Sequence, residues 1–299
     1  MKKTFKIFAA GIALAGLFVL NGPAQAQTKT KATVVKPIKE KTMLWEITGN
    51  GLQKPSYLFG TIHLICAENF EIKPVVAEKI KRSDRLVMEL DFSNKETLAE
   101  LQKGMMGEKP LSQTLNATDY RTVDSLVQLK VGAPLKNFDM LTLQTISSLI
   151  LTKSAPCKES KSFEFEFLKI AADHKIATGQ IEGVAEQLGY LKKAYSDERT
   201  IADFKNYDQL TNMLTAMGKK YQQGDLQLVY DAITAPQYMD ETAMKYMLTE
   251  RNHNWAQRMP QMMAKESNFF AVGAAHLVGE NGMIHLLRAK GYQVKPIFK

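Results

Sequence analysis

Tyr57-Leu58-Phe59-Gly60-Thr61-Ile62-His63 and, near the other end of the chain, Phe269-Phe270-Ala271-Val272-Gly273-Ala274-Ala275-His276 share one form. In each, an apolar run of strand length stops at a glycine, and a histidine follows three residues later. Glycine suits a point where backbone turns sharply or lies close against another group. Open α/β sheets gather their ligands at the carboxyl ends of strands. A single Gly-x-x-His is weak, because buried histidines are commonly satisfied structural residues. Two of them, each closing an apolar run, predict one site built from both ends of the chain.

Outward from these endings the chain reads as strands and helices. Met43–Thr48 and Ser56–Thr61 read as strands joined by the turn Gly49-Asn50-Gly51. Pro74–Lys81 reads as a helix, and Arg85–Leu90 as a strand whose end carries Glu89 and Asp91. Apolar spacing turns helical from Lys95 to Lys153 and again over Ser162–His174; Ala177–Ile181 is a short strand ending in Glu182. Gln187–Pro260 reads as amphipathic helix broken near Gly218, Gly224 and Pro236, with its many methionines filling a helical core. Strand Phe269–Val272, a helix from Gly282 to Lys290 and strand Gln293–Ile297 close the chain. The expected class is mixed α/β: two related sheet halves form a central mixed β-sheet, covered by helices. It is expected as one domain over 42–299 with a largely helical section at about 95–260.

The N-terminus points to export. Lys2, Lys3 and Lys6 precede an apolar core from Ile7 to Leu20, and Ala24-Gln25-Ala26 is a small-x-small cleavage site, the pattern of a secretory signal peptide over 1–26. That core is short for a membrane span, and no cysteine at the cleavage site suggests a lipid anchor. Residues 27–41 read as a flexible, Lys-rich tether. Losing the three leader lysines lowers the formal charge from +8 to +5. The remainder is spread out, without the basic stripe and interleaved aromatics that nucleic acid requires. Two cysteines remain, Cys66 and Cys157. In an oxidising compartment a disulfide between them is the natural reading, pinning the loop after His63 to the loop around Pro156. A nucleophilic thiol or a metal ligand are the competing readings.

Five histidines are available. His174 falls at a helix end, where a cation favours the C-terminus. His285 lies inside the last helix, and His253 faces either the site or solvent. His63 and His276 stand at strand ends, with Glu89 as the best-placed carboxylate. Two imidazoles and a carboxylate suit a divalent ion with open positions for water, which polarises a carbonyl and activates water for hydrolysis. The His-Glu-x-x-His helix, the Gly-x-Ser-x-Gly elbow, a phosphate-binding glycine loop and a dinucleotide fingerprint are all absent from the sequence. Any hydrolytic site is therefore a distributed constellation.

Trp45-Glu46-Ile47, the two Gly-x-x-His segments, Val87-Met88-Glu89, Glu250-Arg251-Asn252 and Leu277-Val278-Gly279, followed by Gly282, Leu286-Leu287 and Lys290-Gly291-Tyr292, occur in an order that resembles the TraB/TIKI family in its bacterial GumN-like branch. The resemblance spans essentially the whole mature chain. It implies a fold related to the erythromycin esterase and haem-binding ChaN-like proteins. It also implies a metalloprotease, with manganese or cobalt favoured and zinc possible, and a peptide or protein as substrate. The implied metal ligands are His63, Glu89 and His276. Arg251 and Asn252 match an Arg-Asn pair that orients substrate or a developing oxyanion. Glu182 and Gln187 match a Gly-Leu-Glu segment with a later Gln, although Gln180 replaces the glycine. A carboxylate, Glu89 or Glu182, is expected to take the proton of the attacking water. The competing reading is a non-catalytic periplasmic protein binding haem, a metal or a peptide, with Tyr57 and the histidines as possible axial ligands. The mature protein is expected in the periplasm or secreted, with no stable membrane anchor.

Overall fold

A computed structural model describes residues 37–298 apart from 156 and 206. The expected signal peptide and residues 27–36 of the tether lie outside the described residues. The chain forms a six-stranded sheet from β1 (Leu44–Thr48), β2 (Ser56–Thr61), β4 (Arg85–Met88), β6 (Ala177–Gln180), β7 (Asn268–Gly273) and β8 (Gln293–Ile297). Its order is β6-β4-β7-β2-β1-β8. Strands β6, β4, β7 and β2 run parallel, whereas β1 pairs antiparallel with both β2 and β8. A separate ribbon joins β3 (Ile65–Cys66) to β5 (Ser160–Lys161). The two expected sheet halves are thus one continuous mixed sheet.

Local chemistry explains this arrangement. Gly49, Asn50 and Gly51 all take positive φ between 49° and 82° and turn β1 back onto β2. The parallel strands are covered on both faces, which is why β2 and β7 read as unbroken apolar runs. They lie side by side at the middle of the sheet, Gly60 opposite Val272 and Thr61 opposite Gly273. Gly60 is required by close approach: a Cβ there would stand 3.0 Å from the Ala274 Cα.

Helix Phe163–Asp173 is pinned to one face by Phe163 and Phe167, one turn apart, which pack on Phe59 at 5.5 and 5.3 Å between ring centroids. Its first turn thereby reaches the end of β2. On the other side of the site stand helices Val184–Ala194, Tyr207–Gln222 and Leu226–Ile233 and a continuous helical run over Glu241–Met263. That run widens to a π turn at Met244–Thr249 and continues as the helix Glu250–Met263, past Pro260 where the sequence pattern had placed its end. Cys66 and Cys157 form a disulfide, so neither is a free thiol or a metal ligand. It fastens β3, which follows His63, to the segment leading into Phe163–Asp173.

Candidate functional site

The four parallel strands deliver their carboxyl ends to one edge of the sheet. Thr61 ends β2 and His63 follows it, Glu89 follows β4, Glu182 follows β6, and Gly273 ends β7 with His276 beyond it. Helix Glu250–Met263 brings Arg251 and Asn252 to the same place. Of the residues singled out from the sequence at strand ends, His63, Glu89, Glu182 and His276 therefore meet, as the sheet rule requires, whereas Asp91 turns to Ser93, accepting from its N–H at 2.9 Å and its hydroxyl at 2.6 Å.

Each imidazole is held by its Nδ1. His63 Nδ1 donates to Glu164 Oε1 at 2.9 Å. That carboxylate also accepts from the hydroxyls of Thr61, at 2.7 Å, and Ser162. Burial alone disfavours charge on both partners, but the pair more than offsets it: the His63 pKa is raised and that of Glu164 lowered. His276 is held differently. Its Nδ1 donates to Asn252 Oδ1 at 2.6 Å, and Nε2 accepts from Arg251 Nη1 at 3.2 Å. Burial and the adjacent Arg251 cation push its pKa down to about 3, so the ring is neutral. Trp255 covers one face, with ring centroids 4.4 Å apart.

Arg251 is the electrostatic hub. Its Nε and Nη2 donate to Glu182 at 2.6 to 3.2 Å, Nη2 also reaches Glu89 Oε2, and Nη1 donates to the Met247 carbonyl at 3.2 Å. Gln187 bridges the carboxylates, donating to Glu182 at 2.8 Å and Glu89 at 3.3 Å, and Trp255 Nε1 donates to Glu182 at 2.9 Å. Burial raises the pKa of Glu89, but Arg251, the two histidines and the Gly273 N–H outweigh it, holding that carboxyl far below its usual range. Glu182 goes the other way: burial, aided by the neighbouring Glu89 charge, outweighs Arg251 and raises its pKa. Two carboxylates sharing one guanidinium divide in this manner.

Gly273 is where the candidate ligands converge. Its N–H donates to Glu89 Oε1 at 2.8 Å. A Cβ at Gly273 would lie 3.3 Å from Glu89 Oε1, 3.4 Å from His276 Cδ2 and 3.8 Å from His63 Nε2. The donor set, two imidazole nitrogens and a carboxylate oxygen, fits a divalent transition ion. Anchoring of each Nδ1 by an oxygen matches the outer support that metal-binding histidines require. Among the described residues, the group whose three ligand atoms lie within 4.8 Å of one another is Cys66, Glu68 and Cys157, and its sulfurs are spent in the disulfide. His63, Glu89 and His276 are spread wider, and Arg251 contacts His276 Nε2, so an ion shared by all three requires that guanidinium to withdraw and the ligands to close.

The chain matches the sequence model of the TraB/PrgY/gumN family over residues 43–296. It belongs to that family. No curated protein and no solved structure matches it. For this TraB/PrgY/gumN member, the structure separates roles that the sequence motifs leave together. Asn252 is buried and committed: besides holding His276 Nδ1 it donates to the carbonyls of His276, at 3.2 Å, and Asn281, at 2.7 Å. It supports a histidine and does not face the chamber. Glu182 likewise lies wholly buried behind Arg251. Gln180 accepts from the Asp91 N–H at 3.2 Å and the Thr97 hydroxyl at 2.9 Å, so it has its own structural work.

His174 caps its helix by donating to the Ile170 carbonyl at 3.0 Å, as expected. His253 is exposed and pairs with Asn281 Oδ1 at 3.0 Å, away from the site. Tyr57 packs on Phe269 with Lys79 over its ring and does not line the chamber, which removes it as an axial ligand there. Sequence reasoning missed Glu164 and Trp255. The alternation Phe163-Glu164-Phe165-Glu166-Phe167 was the available signal: with Phe163 and Phe167 facing the sheet, a carboxylate between them at a helix start falls at the edge of the core.

Proposed function

We propose that the chain is an exported, metal-dependent peptidase. The observation that carries this reading is the convergence of His63 Nε2, Glu89 Oε1 and the His276 ring on the space beside Gly273, at the floor of a chamber. A divalent cation held by these three, manganese or cobalt by family resemblance and zinc by donor set, would supply Lewis acidity toward a peptide carbonyl and toward water. Glu164 and Asn252 fix Nδ1 of their histidines, which leaves His63 Nε2 for ligation, and His276 Nε2 once Arg251 withdraws from it. Glu89 faces the chamber as the ligand carboxylate, held ionised by Arg251, whereas Glu182 is sealed off and balances Arg251. Arg251 lines the chamber, and the Nη1 N–H that it withdraws from His276 on ion uptake can then orient a substrate carbonyl. Export is supported by the leader-like N-terminus and the disulfide. Among the described residues no helix is long and apolar enough to cross a membrane.

The test is hydrolysis of a mixed, unstructured peptide pool by metal-stripped protein, with manganese, cobalt or zinc restored in turn. Cleavage is expected only with an ion and is expected to vanish in His63→Ala and His276→Ala. No cleavage by folded protein with any ion, or full cleavage by both variants, sinks the proposal.

A further inference from the structure

The methionines of the helical cover have a placement that hydrolytic chemistry does not explain. Met217, Met239 and Met247 come from three different segments, are buried, and meet above the polar floor. Leu191, Val229 and Ile233 complete the wall. The π turn at Met244–Thr249 contributes by facing Met247 into the chamber one turn before Arg251. The polar lining is confined to the floor, formed by Thr61, His63, Glu89, Arg251 and His276, and to half-buried Gln187.

Protein interiors close-pack, and a void walled by apolar atoms forfeits their dispersion contacts. A retained apolar chamber over a reactive floor is a place for a ligand whose reacting end is polar and whose other end is not. A charged side chain entering it would lie against the apolar wall, because the charges of the floor are already paired, Arg251 with Glu89 and His63 with Glu164. The free volume is about 50 Å³, well short of the roughly 150 Å³ of a cavity that admits a benzene ring. We infer that this chamber is a side-chain pocket selecting a long aliphatic residue, leucine or methionine, beside the scissile bond; the term scissile rests on the peptidase reading, the pocket does not. Methionine walls suit that role because their unbranched thioethers adapt to either side chain.

The pocket is tested without turnover. In protein labelled with 13C at the methionine methyls, N-acetyl-leucinamide and N-acetyl-methioninamide should shift the Met217, Met239 and Met247 signals saturably. N-acetylglycinamide at equal concentration should not. Val229→Phe, which fills the chamber, should abolish the response, and Leu191→Ala, which enlarges it, should extend the response to N-acetyl-phenylalaninamide. In the metal-restored protein, peptides with leucine or methionine at the selected position should show kcat/KM on the order of 10- to 100-fold above glycine. Methyl signals that ignore all the amides, or answer glycine equally, overturn the pocket. Cleavage without methyl shifts discards the pocket and keeps the peptidase; methyl shifts without cleavage under any ion do the reverse.

Discussion

Replacing Arg251 with methionine keeps much of the side-chain volume and removes the cation that Glu89 and Glu182 share. The side chains of Arg251, Glu89 and Glu182 are 4%, 10% and 0% exposed. Water therefore cannot replace the lost partner, and removing one member of a buried ion pair costs about 3–5 kcal/mol. We expect that loss at pH 7 in urea unfolding of the metal-free protein followed by far-ultraviolet circular dichroism. Two consequences distinguish this from simple loss of packing. In the variant the bared carboxylates have folded-state pKa values raised above their unfolded ones. Protonation then favours the folded variant, and its deficit against the wild type should shrink as pH falls from 7 toward 5. Adding Glu182→Gln to Arg251→Met should also recover part of the loss, because it deletes one unpaired buried charge. A loss below about 1 kcal/mol at pH 7, or a double variant as weak as the sum of the single ones, would refute the assignment of Arg251 as the hub.

Three other outcomes follow from the same geometry. His276 is neutral when folded, with a pKa of about 3, and takes a proton near 6.5 when unfolded; between those values the unfolded chain binds the extra proton. Stability of the metal-free protein should therefore fall with falling pH across that window, by up to about 1.4 kcal/mol per unit from this group, and urea midpoints in His276→Phe should fall less steeply. Glu164→Gln removes the charge that raises the His63 pKa, so that pKa, followed by imidazole proton resonances, should drop, while an unchanged value would remove Glu164 as the positioning partner. Gly273→Ala has ordinary backbone geometry, with φ of −52°, yet places a methyl among the ligand atoms. Its melting temperature should stay close to that of the wild type while its affinity for manganese or zinc, read by calorimetry, falls at least tenfold, the lower range of a disturbed metal shell.

Much of this fold was legible because the deciding signals are local. The turn at Gly49-Asn50-Gly51 and the unbroken apolar runs of β2 and β7 announce strands, and a parallel sheet sends strand ends to one edge whatever the connections between them. His63, Glu89, Glu182 and His276 could be grouped on that basis alone. What could not be read is which side chain faces which. Arg251 and Asn252 are adjacent in sequence, but about 100° of helical rotation separates neighbouring residues, so one lines the chamber while the other supports a histidine from behind. The methionines pose the same difficulty. Their spacing suits a helical core, and only packing of separate segments makes three of them walls of a cavity. Glu164 lay in an amphipathic run whose charge reads as solvent-facing until the sheet is in place.

The two Gly-x-x-His endings, alike in sequence, turn out to use glycine for different physical reasons, and this bears on how the site works. At Gly60 the missing Cβ lets β2 approach the backbone of Ala274, so it sets the spacing between the two strands that carry the histidines. At Gly273 it leaves open the space among Glu89, His276 and His63. Gly60→Ala should therefore disturb the fold first, by pushing β2 away from the turn after β7, whereas Gly273→Ala should disturb ligation first. The supports are equally unlike: the ionised Glu164 carboxylate favours a charged His63, while the neutral Asn252 and the Arg251 cation favour a neutral His276. Bringing both imidazoles to one ion requires His63 to give up its proton and Arg251 to yield His276 Nε2. Cation uptake should thus release protons and strengthen with pH as His63 titrates, a linkage that calorimetry in buffers of different ionisation enthalpy reads directly.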